Sequence, residues 1–274
     1  MINQTYCIIA DFFREDFLRG SELATDALVE LLRPNHKIIL KRSHEVTPAF
    51  LQNNYRWIVS NRMNLSPESK LELQTKKYIV IEHDAGWLST RDFGLYEDFI
   101  PPVYHIVNAD FYRGAERVIM QSAVHEHAIK QALGLKNTVS SNGNPWSKTD
   151  LELLRKLSTT QKTREFAIVG HTHPSKGIED AVAHCEEKGH DYQIIPEGPR
   201  EQFLTELSQY QFLVFLPRIF ESYGRIAFEF LCMNGSIIHN NMLGFMLEDH
   251  SKLRGSELID FAKENNEYIL SLVE

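Results

Sequence analysis

The sequence contains few cysteines and no apolar segment long enough to span a membrane. Its three cysteines, Cys7, Cys185 and Cys232, lie far apart among apolar neighbours. Such spacing is not typical of a disulfide framework or of a cysteine-rich metal site. The N-terminus also lacks a basic region followed by a long apolar core, because Asp11 and Arg14 interrupt its apolar start. We therefore expect buried thiols in a soluble cytoplasmic protein, which leaves peripheral attachment at the inner membrane face open.

Basic residues are scarce relative to acidic ones. The 274 residues include 29 Lys and Arg against 37 Asp and Glu, which gives a formal net charge of −8 at pH 7. This balance argues against a broad nucleic-acid-binding surface, although a local basic patch would survive it. Hydrophobic content of 43% is ordinary for a globular protein, and 274 residues suffice for two modest domains.

Apolar runs of strand length alternate with helical patterns along the whole chain. This alternation predicts an α/β fold with parallel sheets. Helices are predicted at residues 22–32, 123–133, 149–157, 178–188, 201–209, 226–233 and 256–272. Strands are predicted at residues 6–10, 37–40, 55–60, 78–81, 104–108, 117–121, 165–170, 191–195, 212–216 and 236–238.

Two glutamates mark the strand–loop–helix–strand segment at residues 212–238. Glu221 lies in the loop and Glu229 eight positions later, about 12 Å further along a helix axis. The free N–H groups of the first helical turn between them form an anion site, whereas carboxylates accept hydrogen bonds from hydroxyls. This layout suits a ligand with hydroxyls at both ends and an anionic middle, as in a nucleotide sugar. The alternative is a capping glutamate followed by an exposed helix glutamate.

The residues Pro217, Glu221-Ser222-Tyr223-Gly224, Glu229 and Gly235 resemble the signature of a known family. This family comprises the retaining, nucleotide-sugar-dependent glycosyltransferases of the GT-B fold (the family 4-like group 1 transferases), marked by two glutamates separated by seven residues. The resemblance implies two Rossmann-like domains with parallel sheets facing across a cleft. It also implies that Glu221 contacts the transferred sugar and that Glu229 holds the ribose.

The resemblance covers nearly the whole chain and implies its domain limits. It places an acceptor-side domain at residues 1–144, a linker at 145–163 and a nucleotide-sugar-binding domain at 164–255. The C-terminal helix at 256–274 would cross back to the first domain.

The resemblance assigns further residues to the donor site, beside Ser222, Tyr223 and Gly224. Lys176, which follows Gly170 and His171, would be a point charge on the diphosphate; a surface lysine is the alternative. His171 stands where arginine is usual in the family, and Arg225 is a candidate substitute. Gly20 stands at one position of the family's phosphate-facing loop, but without the usual second glycine, so a simple turn glycine is equally compatible.

His83 follows the strand predicted at residues 78–81. The resemblance implies a histidine near the donor sugar or phosphate, with Glu221 and Lys176 as the other catalytic residues. With Asp84, His83 could instead form a catalytic dyad or a metal site, but adjacent strand residues point to opposite faces. A structural loop histidine is the remaining alternative.

Metal ligands at suitable spacing are not evident in the sequence. The pair His171 and His173 has no cysteine or carboxylate partner nearby, and no Asp-x-Asp pair occurs. We therefore expect metal-independent transfer, without a cofactor, from a nucleotide-diphosphate sugar to a glycan, lipid or small-molecule hydroxyl. The alternatives are a non-catalytic sugar-nucleotide-binding protein, or a phosphorylase or epimerase of the same fold.

Overall fold

The structure, a computed structural model, describes residues 4–274 and divides into two compact units. The first unit comprises the chain up to Ser147 together with Asn265–Glu274, and the second comprises Lys148–Glu264. Each unit contains one parallel sheet with helices, so the predicted α/β class is confirmed.

The first unit is built on a six-stranded parallel sheet with the order β2-β1-β3-β4-β5-β6. Its central strands are continuous apolar runs, as expected for strands covered on both faces. Cys7, Ile8 and Ile9, for example, are completely buried. The strands are β1 (Thr5–Ala10), β2 (Lys37–Arg42), β3 (Arg56–Val59), β4 (Tyr78–Glu82), β5 (Arg117–Met120) and β6 (Thr138–Ser140).

Helices flank this sheet and complete its core. The helices are α1 (Gly20–Leu32), α2 (Pro67–Leu73), α3 (Ala109–Gly114) and α4 (Ala123–Leu133), together with the end of the last helix, α9 (Gly255–Val273). Ile269, Leu272 and Val273 of α9 join the apolar cluster around β1. The bounds predicted for α4 are confirmed, because Ser122 caps its start and Gly134 ends it in a left-handed conformation.

The second unit is built on a four-stranded parallel sheet with the order β10-β9-β7-β8. Its strands are β7 (Arg164–Gly170), β8 (Tyr192–Pro196), β9 (Tyr210–Phe215) and β10 (Ser236–His239). Its helices are α5 (Lys148–Leu157), α6 (Ile178–Lys188), α7 (Arg200–Leu207), α8 (Arg225–Cys232) and the first part of α9. Phe166, Ile168 and Val214 pack against Ala181 and Cys185 in its core. All three cysteines of the chain are buried and carry free thiols, as expected.

The strand predicted at residues 104–108 is wrong. A turn occupies Val103–His105, closed by the His105 N–H donating to the Pro102 carbonyl at 2.9 Å. Ile106 forms an isolated antiparallel bridge with Leu88. Tyr104, the first residue of the predicted strand, is 78% exposed. Within residues 4–274, no helix is long and apolar enough to cross a membrane.

Both strand orders reverse at one point. In the first sheet the chain adds β2 on one side of β1 and β3 on the other; in the second it adds β8 on one side of β7 and β9 on the other. Ligands of open α/β sheets bind beyond the carboxyl ends of the two strands at such a switch point. The ends of β7 and β9 are therefore the place to look for a site in the second unit.

Candidate active site

Two opposite charges meet at the switch point of the second sheet. Lys176 lies in the loop after β7 and Glu221 in the loop after β9, and Lys176 Nζ donates to Glu221 Oε1 at 2.6 Å. Their side chains keep 30% and 16% of their accessible surface. The pair is thus shielded enough to strengthen its attraction but remains accessible to a ligand.

The backbone fixes the direction of the Glu221 side chain. The Glu221 N–H donates to the Met242 carbonyl, and the Gly244 N–H donates to the Glu221 carbonyl, both at 2.9 Å. Residue 221 is thereby tied on both sides to the segment after β10. The carboxylate is therefore held by paired backbone rather than by a free loop.

Two glycines shape the loops that carry this pair. Gly177, directly after Lys176, has φ +68°, and a Cβ there would lie 1.7 Å from the Leu216 carbonyl oxygen at the end of β9. Gly224 precedes α8 with φ +85°, and a Cβ there would lie 3.1 Å from Leu243 Cδ2. Because side chains are excluded at Gly177, the two loops can approach closely enough for Lys176 to reach Glu221.

His171 lies next to Glu197 because of the register of the sheet. Gly170 pairs with Pro196, so the residues that follow them leave β7 and β8 side by side. His171 Nδ1 lies 2.6 Å from Glu197 Oε1, and because a carboxylate only accepts, Nδ1 carries the proton. Nε2 is buried without a hydrogen-bond partner. Burial lowers the pKa of His171, whereas the Glu197 carboxylate opposes that shift, so the ring is mainly neutral at pH 7.

Glu229 and Arg225 belong to a buried cluster of four charges. Arg225 donates through Nε to Glu229 Oε1 and through Nη2 to Asp150 Oδ2, both at 2.9 Å. Arg200 donates through Nη2 to Glu229 Oε1 at 2.7 Å and through Nε to Asp150 Oδ1 at 2.9 Å. The Glu229 side chain is only 3% exposed. The cluster ties the start of α8 to α5 and α7.

Ser222 and Tyr223 are buried beneath the start of α8. The Tyr223 hydroxyl lies 3.0 Å from His250 Nε2, and its ring packs against Phe228 and Phe245. Burial raises the pKa of Tyr223, so its phenol stays protonated. The Tyr223 side chain supports the loop from below.

Gly20 and His83 belong to the first unit. Gly20 is the first residue of α1, and His83 follows β4. His83 Nδ1 lies 2.8 Å from the Gln121 side-chain nitrogen, so His83 Nε2 carries the proton and donates to Ser60 Oγ at 2.7 Å. Both ring nitrogens are therefore engaged. Burial lowers the pKa of His83 to about 4, which keeps the imidazole neutral.

The structure brings most of the predicted residues to one place, the carboxyl edge of the second sheet. They are Gly170, His171, Lys176, Glu221, Ser222, Tyr223, Gly224, Arg225 and Glu229. Their roles in binding and catalysis stay predictions, as do those of Gly20 and His83. Within residues 4–274, no group of three or more His, Cys, Asp and Glu side chains is arranged to hold a metal ion.

Glu197, Arg200 and Asp150 are charged partners in these contacts that were not predicted from the sequence. Glu197 directly follows β8, and its position beside His171 follows from strand register, which could have indicated it once the strand order was known. Asp150 lies 75 residues before Arg225, so no local spacing could connect the two.

Solved structures with this architecture are GT-B glycosyltransferases, which confirms the predicted GT-B fold. HepE from Anabaena, in complex with UDP-glucose, is similar with a TM-score of 0.58 and 13% identity over 97% of this chain and 90% of that chain. The pneumococcal O-GlcNAc transferase GtfA, in complex with UDP and GlcNAc, is similar with a TM-score of 0.50 and 13% identity over 82% of this chain and 53% of that chain. No protein-family model matches the chain, and no curated protein matches its sequence.

Proposed function

We propose that this protein is a retaining glycosyltransferase that moves a sugar from a nucleotide-diphosphate sugar to an acceptor hydroxyl without a metal ion. The observation that carries the proposal is the pair of Lys176 and Glu221 at the switch point of the second sheet, 2.6 Å apart and half-buried. An ammonium suits a diphosphate and a carboxylate suits sugar hydroxyls, so one pair offers both halves of the donor a partner.

Lys176 and the positive end of the helix dipole at the start of α8 would stabilise the charge that develops on the leaving diphosphate. Such preorganised charge is electrostatic catalysis, which is most effective where water is excluded. Glu221 would orient the sugar hydroxyls once Lys176 turns to the phosphate. The resemblance to retaining transferases implies a same-face reaction in which the leaving phosphate takes the acceptor proton.

The solved structures support a nucleotide-sugar donor. HepE was determined with UDP-glucose, and GtfA is an O-GlcNAc transferase determined with UDP and GlcNAc. Lys176 and Glu221 lie beyond β7 and β9, where open parallel sheets bind ligands.

The test is calorimetry with UDP-glucose, GDP-mannose and ADP-glucose, followed by assays of donor hydrolysis and transfer in the presence of EDTA. Glu221→Gln keeps the volume of the side chain but removes its charge. We expect it to lower kcat/KM about 10- to 100-fold, because a hydrogen bond to a charged group contributes about 1.5–3 kcal/mol. Glu179→Gln, an exposed glutamate paired with Arg218, is the matched control and should be unaffected. Full activity of Glu221→Gln would contradict the assigned role.

A second candidate is a protein that binds sugar nucleotides without turnover. Two observations favour it. Glu229 and Arg225 are already paired with Arg200 and Asp150 in the four-residue cluster, and His171 stands at the usual arginine position. Binding without donor hydrolysis or transfer would select this candidate. Failure of all three nucleotide sugars to bind at millimolar concentration would contradict both.

A further inference from the structure

The His171 ring, in the candidate donor site, has a polar atom that is buried and has no hydrogen-bond partner. Its Nδ1 is bonded to Glu197, whereas Nε2 is shielded from water and has no hydrogen-bond partner. Leaving a buried polar atom unpaired costs about 1–3 kcal/mol. An atom of this kind in a folded protein calls for an explanation, and a ligand atom is one of the partners that could satisfy it.

The charges around His171 are nearly balanced when the ring is protonated. Glu197 from the loop after β8, Lys176 from the loop after β7 and Glu221 from the loop after β9 all act on it electrostatically. With a neutral ring, these groups carry two negative charges and one positive charge. A protonated ring would bring their sum to zero, and an entering diphosphate would add negative charge that favours the imidazolium further.

Glu197 determines which nitrogen of His171 is left without a partner. Because a carboxylate only accepts hydrogen bonds, Glu197 keeps the proton of His171 on Nδ1. Nε2 is therefore unprotonated in the neutral ring and protonated in the imidazolium. In the neutral ring Nε2 offers a lone pair, which repels phosphate oxygen. In the imidazolium, Nε2–H can donate to phosphate while Glu197 stabilises the positive ring from the other side.

We infer that Glu197 is a positioning residue for donor binding, which holds His171 so that the ring takes up a proton and donates Nε2–H to the diphosphate when a nucleotide sugar binds. The inference rests on the proposed function. It assigns to His171 and Glu197 together the fixed positive charge that an arginine would supply alone. Donor affinity then depends on pH, in contrast to the constant charge of a guanidinium.

The experiment is calorimetry of UDP-glucose binding between pH 5.5 and 8.5, in buffers of different ionisation enthalpy. UDP-glucose is suitable because both phosphates of its diphosphate are esterified, so the ligand itself does not titrate in this range. The wild type should take up close to one proton, and its affinity should fall as pH rises until the ligand-bound ring also loses its proton. Affinity that is constant over this range, without proton uptake, would overturn the inference.

Variants of the pair isolate the role of Glu197. Glu197→Gln retains an acceptor for Nδ1–H but lacks the negative charge. Its affinity for UDP-glucose at pH 7 should therefore be about tenfold or more below that of the wild type. At pH 5.5 the difference in affinity between the two proteins should be smaller. Glu197→Asp should recover part of the proton uptake. His171→Arg should bind UDP-glucose with an affinity that no longer depends on pH. Glu187→Gln, an exposed glutamate on α6 that pairs with Lys188, is the control and should match the wild type.

The outcomes separate the two proposals. Binding of UDP-glucose with pH-independent affinity, or Glu197→Gln behaving as Glu187→Gln does, would overturn this inference and leave the proposed function standing. Absence of binding for UDP-glucose, GDP-mannose and ADP-glucose in the wild type would overturn both. The Glu197 side chain is 53% exposed, so its variants should fold, and an unchanged thermal midpoint would verify this.

Discussion

At the switch point of the first sheet, the charged side chain is buried and hydrogen-bonded within the protein. At the switch point of the second sheet, charged side chains remain accessible. After β1, the buried Asp11 carboxylate accepts the N–H groups of Met63 and Asn64 at 2.9 and 3.0 Å and the hydroxyl of Ser43. After β7 and β9, Lys176 and Glu221 form an ion pair with each other, and both side chains remain partly exposed. The carboxylate after β1 is therefore buried and hydrogen-bonded, whereas the charged pair after β7 and β9 remains partly accessible.

The same contrast holds for the two histidines next to these points. His83 has both nitrogens engaged, and its chain of hydrogen bonds continues from Ser60 to Thr25 at 2.6 Å and from Gln121 to Asn144. His171 has one nitrogen bonded to a carboxylate and one unsatisfied. A network of neutral groups with all hydrogen bonds made, such as that of His83, rigidifies a unit. A charged contact with an unsatisfied nitrogen, such as that of His171, can accept ligand atoms as new partners. The second unit is thus the better candidate for binding an anion.

The largest expected effect comes from Glu229→Ala. This change leaves Arg200 and Arg225 buried with Asp150 as the carboxylate between them, so we expect a loss of about 3–5 kcal/mol in the free energy of unfolding. Nucleotide affinity should fall with it, because the start of α8 loses its anchor. Urea unfolding followed by circular dichroism measures the first effect, and calorimetry with UDP-glucose the second.

A buried pair in the first unit provides the control for Glu229. Glu82 accepts from Arg62 at 3.0 Å and from Tyr112 at 2.5 Å, both the Glu82 and Arg62 side chains are buried, and burial raises the pKa of Glu82 to about 7. Glu82→Ala should destabilise the protein to a similar extent, while nucleotide affinity measured under native conditions should change less than in Glu229→Ala. A Glu229→Ala variant of unchanged stability but weakened binding would instead favour a direct contact of Glu229 with the nucleotide.

Gly177→Ala should have the next largest effect. The new methyl group would overlap the Leu216 carbonyl oxygen, and the backbone has φ +68°, so we expect a loss of about 3 kcal/mol, at the upper end for a residue held in strained backbone. Donor binding should weaken as well, because relief of the overlap would move Lys176 away from Glu221. Urea unfolding and calorimetry again measure the two effects.

Gly189 is the matched control for Gly177. It ends α6 with φ +67°, but a Cβ there would meet no atom within 4 Å. Gly189→Ala should therefore cost only the left-handed conformation, about 1–2 kcal/mol, and should leave donor binding unchanged. If the two alanine variants were equally stable, the close approach of the loops after β7 and β9 would not be needed for folding.

The fold was largely predictable because its physical causes are local. Strands covered on both faces are continuous apolar runs, and glycines on either side of α6 end the helical pattern on both sides. The error at residues 104–108 arose because aromatic and β-branched composition alone does not separate a strand from a turn: Tyr104 is exposed, and Ile106 forms only an isolated bridge with Leu88.

The sequence indicates single candidate residues, whose roles stay predictions, but not the contacts between them. Lys176 and Glu221 lie in loops that a family resemblance could identify, yet their ion pair depends on β7 and β9 being neighbours. Glu197 and Asp150 reach His171 and Arg225 through strand register and helix packing. Such contacts join distant parts of the chain, and no sequence period encodes them.

The smallest effect that we predict concerns acid stability of the first unit. His125 on α4 is completely buried beside the Phe93 ring, and neither ring nitrogen has a hydrogen-bond partner. Burial lowers the pKa of His125 to about 3. The folded state therefore keeps the His125 ring neutral. The free energy of unfolding is unaffected by this ring above its ordinary pKa of about 6.5. It falls as pH drops below that value, because the ring takes up a proton only in the unfolded state. At pH 5.5 the loss is about 1.4 kcal/mol.

His125→Leu replaces the imidazole with an apolar side chain of similar size and removes this loss. The variant should be more stable than the wild type by about 1 kcal/mol at pH 7.5, and the difference should grow by about 1.4 kcal/mol at pH 5.5. Urea unfolding at both pH values measures it, with His127→Gln, an exposed position on the same helix, as the control. Because His83 is also buried and neutral, some acid sensitivity should persist in His125→Leu. Equal pH dependence in His125→Leu and the wild type would show that His125 finds a partner in solution.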